Sequence, residues 1–519
     1  MRSLGVALIV RLYESCAAFS APNICRVLIA SGGVYDTETM SRSFYLTTTL
    51  PYVNADPHIG FALEIVHADI IARYRALLGD EVFFNTGVDE HGVKIYRKAQ
   101  EEGKETQAYV DEYAEKFKQL KEKLELYPGL HFIRTTDPQH KLAAQEFWRR
   151  CAANGDIEKK FYKTKYCVGC ELEKTDSELV GGKCPIHPNL DIEIREEENY
   201  FFKFSKYQEP LLKLYKNNPT LVVPDFRFNE IKKFVESGLE DFSISRLRAK
   251  MPWGVPVPSD EEHVMYVWFD ALINYITTLG WPEDEANFEK FWGTVEQPNA
   301  LQLAGKDQIR QQAAMWQAML MSAGLPPTKQ IIIHGFITVG GEKMSKSVGN
   351  VIDPLAIVEE YGIDALRYYL ARHVHPFEDS DFTMEKFKEA YNASLANGLG
   401  NLAARVMQLA QTNLAEPVKV EFQPYPSEFT AALDKYEFNV ALDYVWGRIQ
   451  SLDQRINHTE PFKIVKTEPE KGKELITDLV RELAFIDQML EPVLPDTSGK
   501  IIAAILENKK PGNLFPRKE

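Results

Sequence analysis

The spacing of apolar residues changes period early in the chain. Residues 44–50 are mostly β-branched and aromatic, which predicts a buried strand. Beyond residue 58, apolar side chains recur every three or four positions and predict one face of a long helix. These side chains are Ile59, Leu63, Val66, Ile70 and Tyr74. Asp56 and Pro57 just before this run are typical of a helix N-cap and first turn. The pattern therefore predicts a strand, a tight loop and a helix capped by Asp56.

Strand and helix patterns continue along the chain. Residues 82–87 predict a second strand, and residues 331–338 predict the last one. From Asp353 and Pro354, a further N-cap and first-turn pair, the pattern is mainly helical. An apolar stripe at steps of four and three follows, made of Leu395, Leu399, Leu402, Val406 and Leu409. Such a stripe is typical of a helix packed against a core.

Composition narrows the class of protein. The 519 residues are 45% hydrophobic and 26% charged, as in a globular protein of two to four domains. The formal charge of −15 argues against indiscriminate nucleic-acid binding, because that requires a broadly basic surface. A contact with RNA must use a local basic patch, for which Arg246, Arg248 and Lys250 are candidates. Beyond residue 39 no stretch is apolar enough to cross a membrane, and we expect a cytoplasmic protein.

Residues 1–39 do not share these patterns. The apolar run 4–10 is too short to span a bilayer and ends at Arg11. Its basic residues would suit a targeting segment, whereas Glu14 and Asp36 fit a transit peptide poorly. Both interpretations stay open. We prefer an N-terminal extension that the fold does not need, with organised sequence beginning at Met40.

Four of the potential metal ligands have the spacing of a zinc knuckle. Cys167 and Cys170 form a CxxC pair, and after thirteen intervening residues Cys184 and His187 form a second pair. Four thiolate or imidazole ligands suit tetrahedral Zn²⁺, and no open position is apparent, so we predict one structural zinc ion. A redox CxxC is the alternative, but it lacks a βαβ context and leaves Cys184 and His187 unexplained.

Two further segments carry groups that can bind phosphate. His58 falls in the predicted first turn of the first helix, where free backbone N–H groups and the helix dipole attract anions. Taken alone, His58 would be interpreted as a capping or surface histidine. Residues 340–350, GGEKMSKSVGN, combine glycines with two lysines and two hydroxyl groups, and such a loop can wrap a polyphosphate.

The order of these two segments resembles a known family. His58-Ile59-Gly60 after a strand, with Lys343-Met344-Ser345-Lys346-Ser347 downstream, resembles the two signatures of class I aminoacyl-tRNA synthetases. Phe61 stands where the family has a second histidine. The resemblance implies charge stabilisation by His58, Lys343 and Lys346 and Mg²⁺ bound with ATP. The implied ATP-binding residues are His58, Gly60, Gly305, Asp307, Lys343, Ser345 and Lys346.

Shorter runs are similar to methionyl-tRNA synthetases. Asp89-Glu90-His91-Gly92 matches a run whose aspartate faces the amino acid's ammonium group, and residues 266–271, YVWFDA, match a wall of the methionine pocket. Residues 305–307, GKD, match the turn that contacts ribose. We expect His91 itself to be an ordinary core histidine. The implied amino-acid-binding residues are Leu50, Tyr52, Asp89, Trp268, Ala271, Tyr275, Gln308 and Gln312.

Gln308 and Gln312 depart from that pattern, since the family has an isoleucine and, near the thioether, a histidine at these positions. We expect Gln312 to offer an N–H to the substrate sulfur. The alternative is that the two amides bond to each other or to backbone and form the back wall of the pocket, because unpaired buried amides are costly.

The helical part resembles the anticodon-binding domain of the same family. Asn401 and Arg405, in the run NLAAR, are neighbours on one flank of a helix and match the residues that read the anticodon. Phe462 follows Pro461 where the family has a tryptophan, and phenylalanine can still stack on a base.

Taken together, the resemblance implies ATP-dependent ligation of methionine to tRNA(Met) through methionyl-adenylate, with L-methionine, ATP and tRNA(Met) as partners of a monomer. A synthetase for another apolar amino acid is the alternative enzyme, although the insertion is too short for an editing domain. A non-catalytic tRNA-binding relative is the other alternative, against which His58, Asp89 and the loop lysines argue.

The implied fold class is α/β, with a Rossmann-like parallel-sheet catalytic domain, an inserted zinc-knuckle domain and a C-terminal α-helical bundle. The predicted ranges are 1–39 for the extension, 40–134 and 259–334 for the two halves of the catalytic domain, 135–258 for the insertion, 335–390 for the lysine loop and stem-contact region, and 391–519 for the anticodon-binding bundle.

Overall fold

The computed structural model describes residues 42–54, 56–170, 172–174, 178–344 and 350–519, and the predicted extension lies outside them. The strands are β1 Ser43–Thr47, β2 Glu81–Val88, β3 Leu130–Arg134, β4 Ile157–Cys167, β5 Leu172–Lys174, β6 Glu193–Phe202, β7 Val222–Val223, β8 Phe242–Ser243, β9 Ser245–Leu247, β10 Pro256–Val257, β11 Asp260–Met265, β12 Ala300–Gly305, β13 Gln330–His334, β14 Ile337–Val339, β15 Glu342–Lys343 and β16 Ser380–Asp381.

The α-helices are α1 Ile59–Leu77, α2 Val93–Glu101, α3 Thr106–Lys118, α4 Leu120–Lys123, α5 Pro138–Ala153, α6 Gln208–Asn217, α7 Asp225–Glu236, α8 Trp268–Ala271, α9 Asn274–Thr277, α10 Glu285–Trp292, α11 Trp316–Ser322, α12 Pro354–Tyr361, α13 Ile363–Arg372, α14 Met384–Ala390, α15 Asn401–Asn413, α16 Ser427–Leu433, α17 Phe438–Thr459, α18 Pro461–Thr467, α19 Pro469–Leu490 and α20 Pro495–Leu506. Short 3₁₀ turns span Phe204–Tyr207 and Lys306–Gln308, and π-helical segments span Gln311–Met315 and Tyr391–Gly400.

A six-stranded sheet in the order β3-β2-β1-β12-β13-β7 forms the centre of the α/β part. Every pair of adjacent strands in this sheet is parallel. In β1, Leu46 lies opposite Phe84 of β2 and Leu301 of β12. These side chains are buried because helices cover both faces of the sheet. The strand order reverses between β1 and β12, so the crevice for a ligand lies at the carboxyl ends of these two strands. The fold class predicted from the sequence is confirmed.

The predicted insertion 135–258 is not one separate unit. β7 lies within it but pairs with β13 at the edge of the central sheet, and Ile331 donates its N–H to the carbonyl of Leu221 over 2.7 Å. Before and after this return, the segment forms its own antiparallel sheets, β5-β4-β6-β8 and β10-β11-β9. A two-residue strand shows no measurable hydrophobic period, so the sequence did not reveal the return to the sheet.

The first helix begins later than the sequence predicts. Its N-cap is His58, whose backbone is extended and whose Nδ1 accepts the N–H of Gly60. Asp56, predicted as the cap, instead pairs with Lys116 at the surface. The prediction for the later helix is confirmed, because Asp353 Oδ1 accepts the Leu355 N–H over 2.8 Å and α12 begins at Pro354.

One apolar core runs from the sheet into the helical region. It contains residues of β1 and α1 together with residues of α15, α17 and α19. Four members of the predicted stripe are buried and Leu409 is partly buried, although the stripe begins in a π-helical segment rather than in an α-helix. A buried ion pair of 2.6 Å between Asp69 on α1 and Arg367 on α13 crosses the same core.

Candidate functional site

The two predicted signature segments lie against each other at the crevice. A Cβ built at Gly60, in the first turn of α1, would stand 3.6 Å from Met344 Cε. Beyond the lysine loop, the carbonyl of Ile352 accepts the N–H of Ile59 over 3.0 Å. Both flanks of the loop therefore contact the start of α1. Ser345 and Lys346 lie outside the described residues, as does the side chain of Lys343.

The start of α1 does not present the free N–H groups that the sequence led us to expect. Ile59 donates to Ile352, Gly60 donates to the ring of His58 over 3.1 Å, and Phe61 donates to the His58 carbonyl over 2.9 Å. The exposed His58 ring is nevertheless useful to a phosphate, because an accepting Nδ1 puts the imidazole proton on Nε2. Phe61, in place of the family's histidine, packs edge-on against Phe117.

The turn after β12 lies across the crevice from α1. Gly305 is buried at the end of the strand, and Asp307 is exposed in the 3₁₀ turn that follows. A Cβ at Gly305 would stand 2.9 Å from Asp307 Oδ1, so any larger residue here would displace the Asp307 side chain. Next to it, His334 at the end of β13 bonds to Glu64 of α1 over 2.8 Å.

The candidate amino-acid pocket is built from three loops at the same edge. Tyr52, after β1, forms a parallel bridge with Asp89, after β2. Asp89 is buried, and its Oδ1 accepts the His91 N–H over 3.3 Å. Tyr52 and Trp268 pack on one small cluster with Val168 of the knuckle. Leu50 is partly buried, whereas Ala271 and Tyr275 are buried.

His91 is a core histidine, as the sequence predicts. Its Nδ1 lies 2.6 Å from Asp270, and His140 reaches the other oxygen of Asp270 over 2.9 Å. Burial raises the pKa of Asp270, but the two imidazoles outweigh it and hold that pKa well below its usual range. This His-Asp-His cluster fixes the segment 268–271 to the Asp89 loop.

The two glutamines have different environments. Gln312 is buried, donates Nε2–H to the Tyr275 hydroxyl over 2.8 Å and accepts from Gln302 over 3.3 Å. Gln308 is only partly exposed in its turn and does not need a buried partner. The Gln312 amide bonds to Tyr275 and Gln302 rather than to Gln308, and a contact of Gln312 with the substrate sulfur stays a prediction.

The four predicted metal ligands come together. The ligand atoms of Cys167, Cys170, Cys184 and His187 all lie within 4.8 Å of one another. Cys170 Sγ is 3.4 Å from Cys184 Sγ and 3.3 Å from His187 Nδ1. A Cβ at Gly169 would stand 2.3 Å from the His187 ring, so only glycine permits this approach. Two tight turns with three sulfur atoms and one imidazole match a closed tetrahedral site.

The knuckle is attached on two sides of the candidate pocket. Lys94 of α2 donates to the carbonyl of Gly169 over 2.8 Å. Arg310, between Gln308 and Gln312, pairs with Glu178 over 2.6 Å. The knuckle that carries the four candidate ligands therefore supports the walls of the amino-acid pocket.

A concave site of about 420 Å³ on the helical region contains all three predicted anticodon residues. It is lined by Asn401, Ala404, Arg405, Gln408, Leu409, Ile456, Phe462 and Lys510. Phe462 is 41% exposed, which is unusual for phenylalanine. Arg405 already bonds to Asp453 and to Asn457. Arg246, considered above for an RNA patch, is buried over the Tyr266 ring and is excluded from that role.

Comparison with known proteins agrees with this arrangement. The family model described as "tRNA synthetases class I (M)" matches residues 44–191 and 186–407. A methionine--tRNA ligase of Thermotoga maritima is 41% identical over 485 residues, covering 90% of this chain and 76% of that protein. One from Nostoc sp. is 40% identical, covering 89% of each. The chain belongs to the methionyl-tRNA synthetase family.

Solved structures of the methionyl-tRNA synthetase family show the same fold. Mycobacterium tuberculosis methionyl-tRNA synthetase in complex with methionyl-adenylate superposes with a TM-score of 0.81 at 34% identity, covering 92% of this chain and 99% of that one. Among the described residues no helix is both long and apolar enough to span a bilayer.

Several buried polar groups at this methionyl-tRNA synthetase site were not predicted. They are Glu64, His140, Asp270, Gln302 and His334. Asp270 lies in the run YVWFDA, but the resemblance gave it no role, and the others lie in apolar or mixed runs without a motif. The buried acidic residues of α1 were a usable signal for Glu64.

Proposed function

We propose that this chain activates methionine with ATP and ligates it to tRNA(Met) through methionyl-adenylate. The observation that carries the proposal is the contact of Gly60 with Met344 at the strand-order reversal, beside the pocket that contains Asp89. That edge of a parallel sheet is where α/β folds bind nucleotides. Membership of the methionyl-tRNA synthetase family supports the same reaction.

On the nucleotide side, the amino-acid carboxylate attacks the α-phosphate and pyrophosphate leaves. His58 donates its Nε2–H to a phosphate oxygen, and Lys343 and Lys346 stabilise the charge that develops on the leaving group. Gly60, Ser345 and the Gly305–Asp307 turn complete the ATP site, with Asp307 facing ribose. Mg²⁺ bound with ATP neutralises part of the phosphate charge.

On the amino-acid side, buried Asp89 pairs with the substrate ammonium, and Tyr52, Trp268 and Ala271 enclose the side chain. The Tyr275 hydroxyl accepts from Gln312, which leaves its own hydrogen to donate to the thioether. We thus assign the contact with sulfur to Tyr275 rather than to Gln312. Leu50 and Gln308 lie at the rim of the pocket in this proposal.

The cluster of Cys167, Cys170, Cys184 and His187 would hold one Zn²⁺ in a closed site, so the ion is structural. Asn401, Arg405 and Phe462 would contact the anticodon of tRNA(Met), with Phe462 stacking on a base. A monomeric state and a cytoplasmic location stay predictions from the sequence.

Exchange of pyrophosphate into ATP, measured with each amino acid in turn, tests the proposal. We expect exchange with methionine and a loss of ~10²–10³-fold in Lys346→Ala, the effect of removing one preorganised donor. Lys386→Ala, an exposed lysine paired with Asp381, is the control and should keep full activity. Better exchange with leucine or isoleucine would favour the alternative synthetase. No exchange with any amino acid would favour a non-catalytic relative.

A further inference from the structure

A buried ion pair crosses the mouth of the nucleotide crevice. Glu64 lies on α1, two turns after His58, and His334 ends β13. Glu64 Oε2 and His334 Nε2 are 2.8 Å apart, and both side chains are buried. Between their two elements lies the end of β12, where a Cβ at Gly305 would stand 3.6 Å from His334 Cε1.

The hydrogen bonds of the pair suit a charged histidine. His334 Nδ1 lies 2.7 Å from the carbonyl of Gly335, and Nε2 faces the Glu64 carboxylate. An imidazolium, with a hydrogen on each ring nitrogen, donates to both groups, and despite burial the pKa of His334 is raised in the folded protein by the bond to Glu64. The other oxygen of Glu64 accepts the N–H and the hydroxyl of Thr49, each over 2.7 Å. The Glu64 carboxylate thus has three hydrogen-bonding groups around it, two from Thr49 and one from His334.

We propose that Glu64 and His334 are positioning residues for ATP, because their ion pair joins the helix of the first signature to the strand that leads into the second. Thr49 ties the end of β1 to the same carboxylate, so three elements that surround the nucleotide crevice meet at one buried contact. The inference rests on the proposed function, which places ATP between these elements. It concerns the ATP side of the site and not the amino-acid pocket.

Charges around the pair favour the ionised form. Burial lowers the pKa of His334, but the bond to Glu64 outweighs it, and Asp307 across Gly305 acts in the same direction. His67, one turn further along α1, contributes no charge because burial lowers its pKa to about 3. Since the pKa of His334 is raised in the folded protein, the pair is complete below the unfolded value near 6.5 and is lost as pH rises through the folded value.

Nuclear magnetic resonance of the histidine ring nitrogens tests the protonation directly. In the full-length protein we expect both His334 nitrogens to be protonated at pH 6.5 and to lose a proton at higher pH than an ordinary histidine, with His334→Gln providing the assignment. Glu64→Gln is the informative variant, because an amide can still accept from Thr49 and donate to a neutral His334. We expect His334 to become neutral in this variant while the fold is kept.

Pyrophosphate exchange tests the positioning role. In Glu64→Gln we expect KM for ATP to rise about tenfold, the scale of one charge-assisted hydrogen bond, with KM for methionine unchanged. In the wild type, KM for ATP should rise with pH in step with the titration of His334. Glu81→Gln, which removes an exposed ion pair with Lys290 at the other end of β2, is the control.

A neutral His334 at pH 6.5, or an unchanged KM for ATP in Glu64→Gln, would overturn the inference. If Glu64→Gln did not fold, the wild-type comparison of KM for ATP with the His334 titration would decide alone. Failure of the proposed function would look different, since wild-type protein would then show no methionine-dependent exchange while the ring-nitrogen signals stayed readable.

Discussion

At the scale of single residues, Gln312 shows how a substitution in a substrate pocket can act through a neighbour. Its amide replaces the family's histidine, yet its hydrogen bond goes to Tyr275, whose carbonyl is in turn held by Tyr45. Gln312 therefore fixes the direction of the Tyr275 hydroxyl, through which we propose that it acts on the substrate.

Gln312→Ala should raise KM for methionine by about two- to tenfold, the equivalent of one lost hydrogen bond of ~0.5–1.5 kcal/mol. The preference for methionine over norleucine should fall by a similar factor, because a freely rotating hydroxyl aims less well at sulfur. Exchange assays with both amino acids measure this. Gln308→Ala is the matched control, since Gln308 is partly exposed, and an equal effect in both variants would contradict the assignment.

The sequence placed both glutamines near the pocket but could not tell them apart. Gln308 ends a 3₁₀ turn, whereas Gln312 lies in a π-helical segment, so their four-residue spacing does not put them on one helical face. Asp89 and Trp268 were predictable because each belongs to a run that resembles a family motif. The bond between His140 and Asp270 was not predictable, because partners far apart in sequence reveal their bond only after folding.

Arg405→Ala should weaken binding of tRNA(Met) while leaving tRNA-free exchange intact. A bidentate arginine contact to a base contributes about 1–3 kcal/mol, but Arg405 must first give up part of its pairing with Asp453, so the lower end is expected. Filter binding and exchange measure the two effects. Arg448→Ala, which removes a half-buried pair between Arg448 of α17 and Glu482 of α19, is the control and should not change tRNA binding.

At the scale of elements, the knuckle supports the substrate pocket as well as its own fold. The knuckle bonds to Lys94, next to Val93, and to Arg310, two residues before Gln312. Val168 of the knuckle also packs with Tyr52 and Trp268 of the pocket. Loss of the metal should therefore weaken methionine binding.

Gly169→Ala should lower zinc content and raise KM for methionine, because the added Cβ would meet the His187 ring at 2.3 Å. Metal analysis and exchange kinetics on the same preparation measure both effects. Gly512→Ala, with no atom within 4 Å of its added Cβ, should match the wild type. A variant that lost zinc but kept the wild-type KM for methionine would show that the knuckle does not support the pocket.

Elements were predictable where a single physical signal dominated. Ligand spacing identified the knuckle, and the three-to-four period identified α1 and the buried stripe. The N-cap of α1 was predicted at Asp56 because aspartate is the better cap in general, whereas the chain uses the His58 ring and leaves Asp56 to Lys116. Strand β7 escaped prediction because its two residues are too few to show a period.

At the scale of the whole molecule, the catalytic and helical regions are joined by a shared core. Asp69 of α1 contacts Arg367 of α13, which also donates to the carbonyl of Val493 after α19. Burial raises the pKa of Asp69, but Arg73 and Arg367 outweigh it and keep that pKa below its usual range. The predicted division at residue 391 thus separates two regions in sequence but not two cores.

Arg367→Ala should lower the free energy of unfolding by about 3–5 kcal/mol, because it leaves a buried carboxylate with one cation fewer. Denaturant titration, followed by signals from both regions, measures this and should show one shared transition. Arg455→Ala removes an exposed ion pair with Asp478 and should change stability by under about 1 kcal/mol. Separate transitions for the two regions would contradict a shared core.

The contacts at the start of α1 also hold both flanks of the lysine loop. Met344 lies against Gly60 and Ile352 bonds to Ile59, so the seven residues 345–351 connect two points that are both fixed to one helical turn. The entropic free-energy cost of closing such a loop grows slowly, by about 0.6 kcal/mol for each doubling of the loop's length. Glycine insertions beside Ser347 should therefore cost little stability. The chemistry of the loop's side chains constrains its sequence more strongly than the loop's length does.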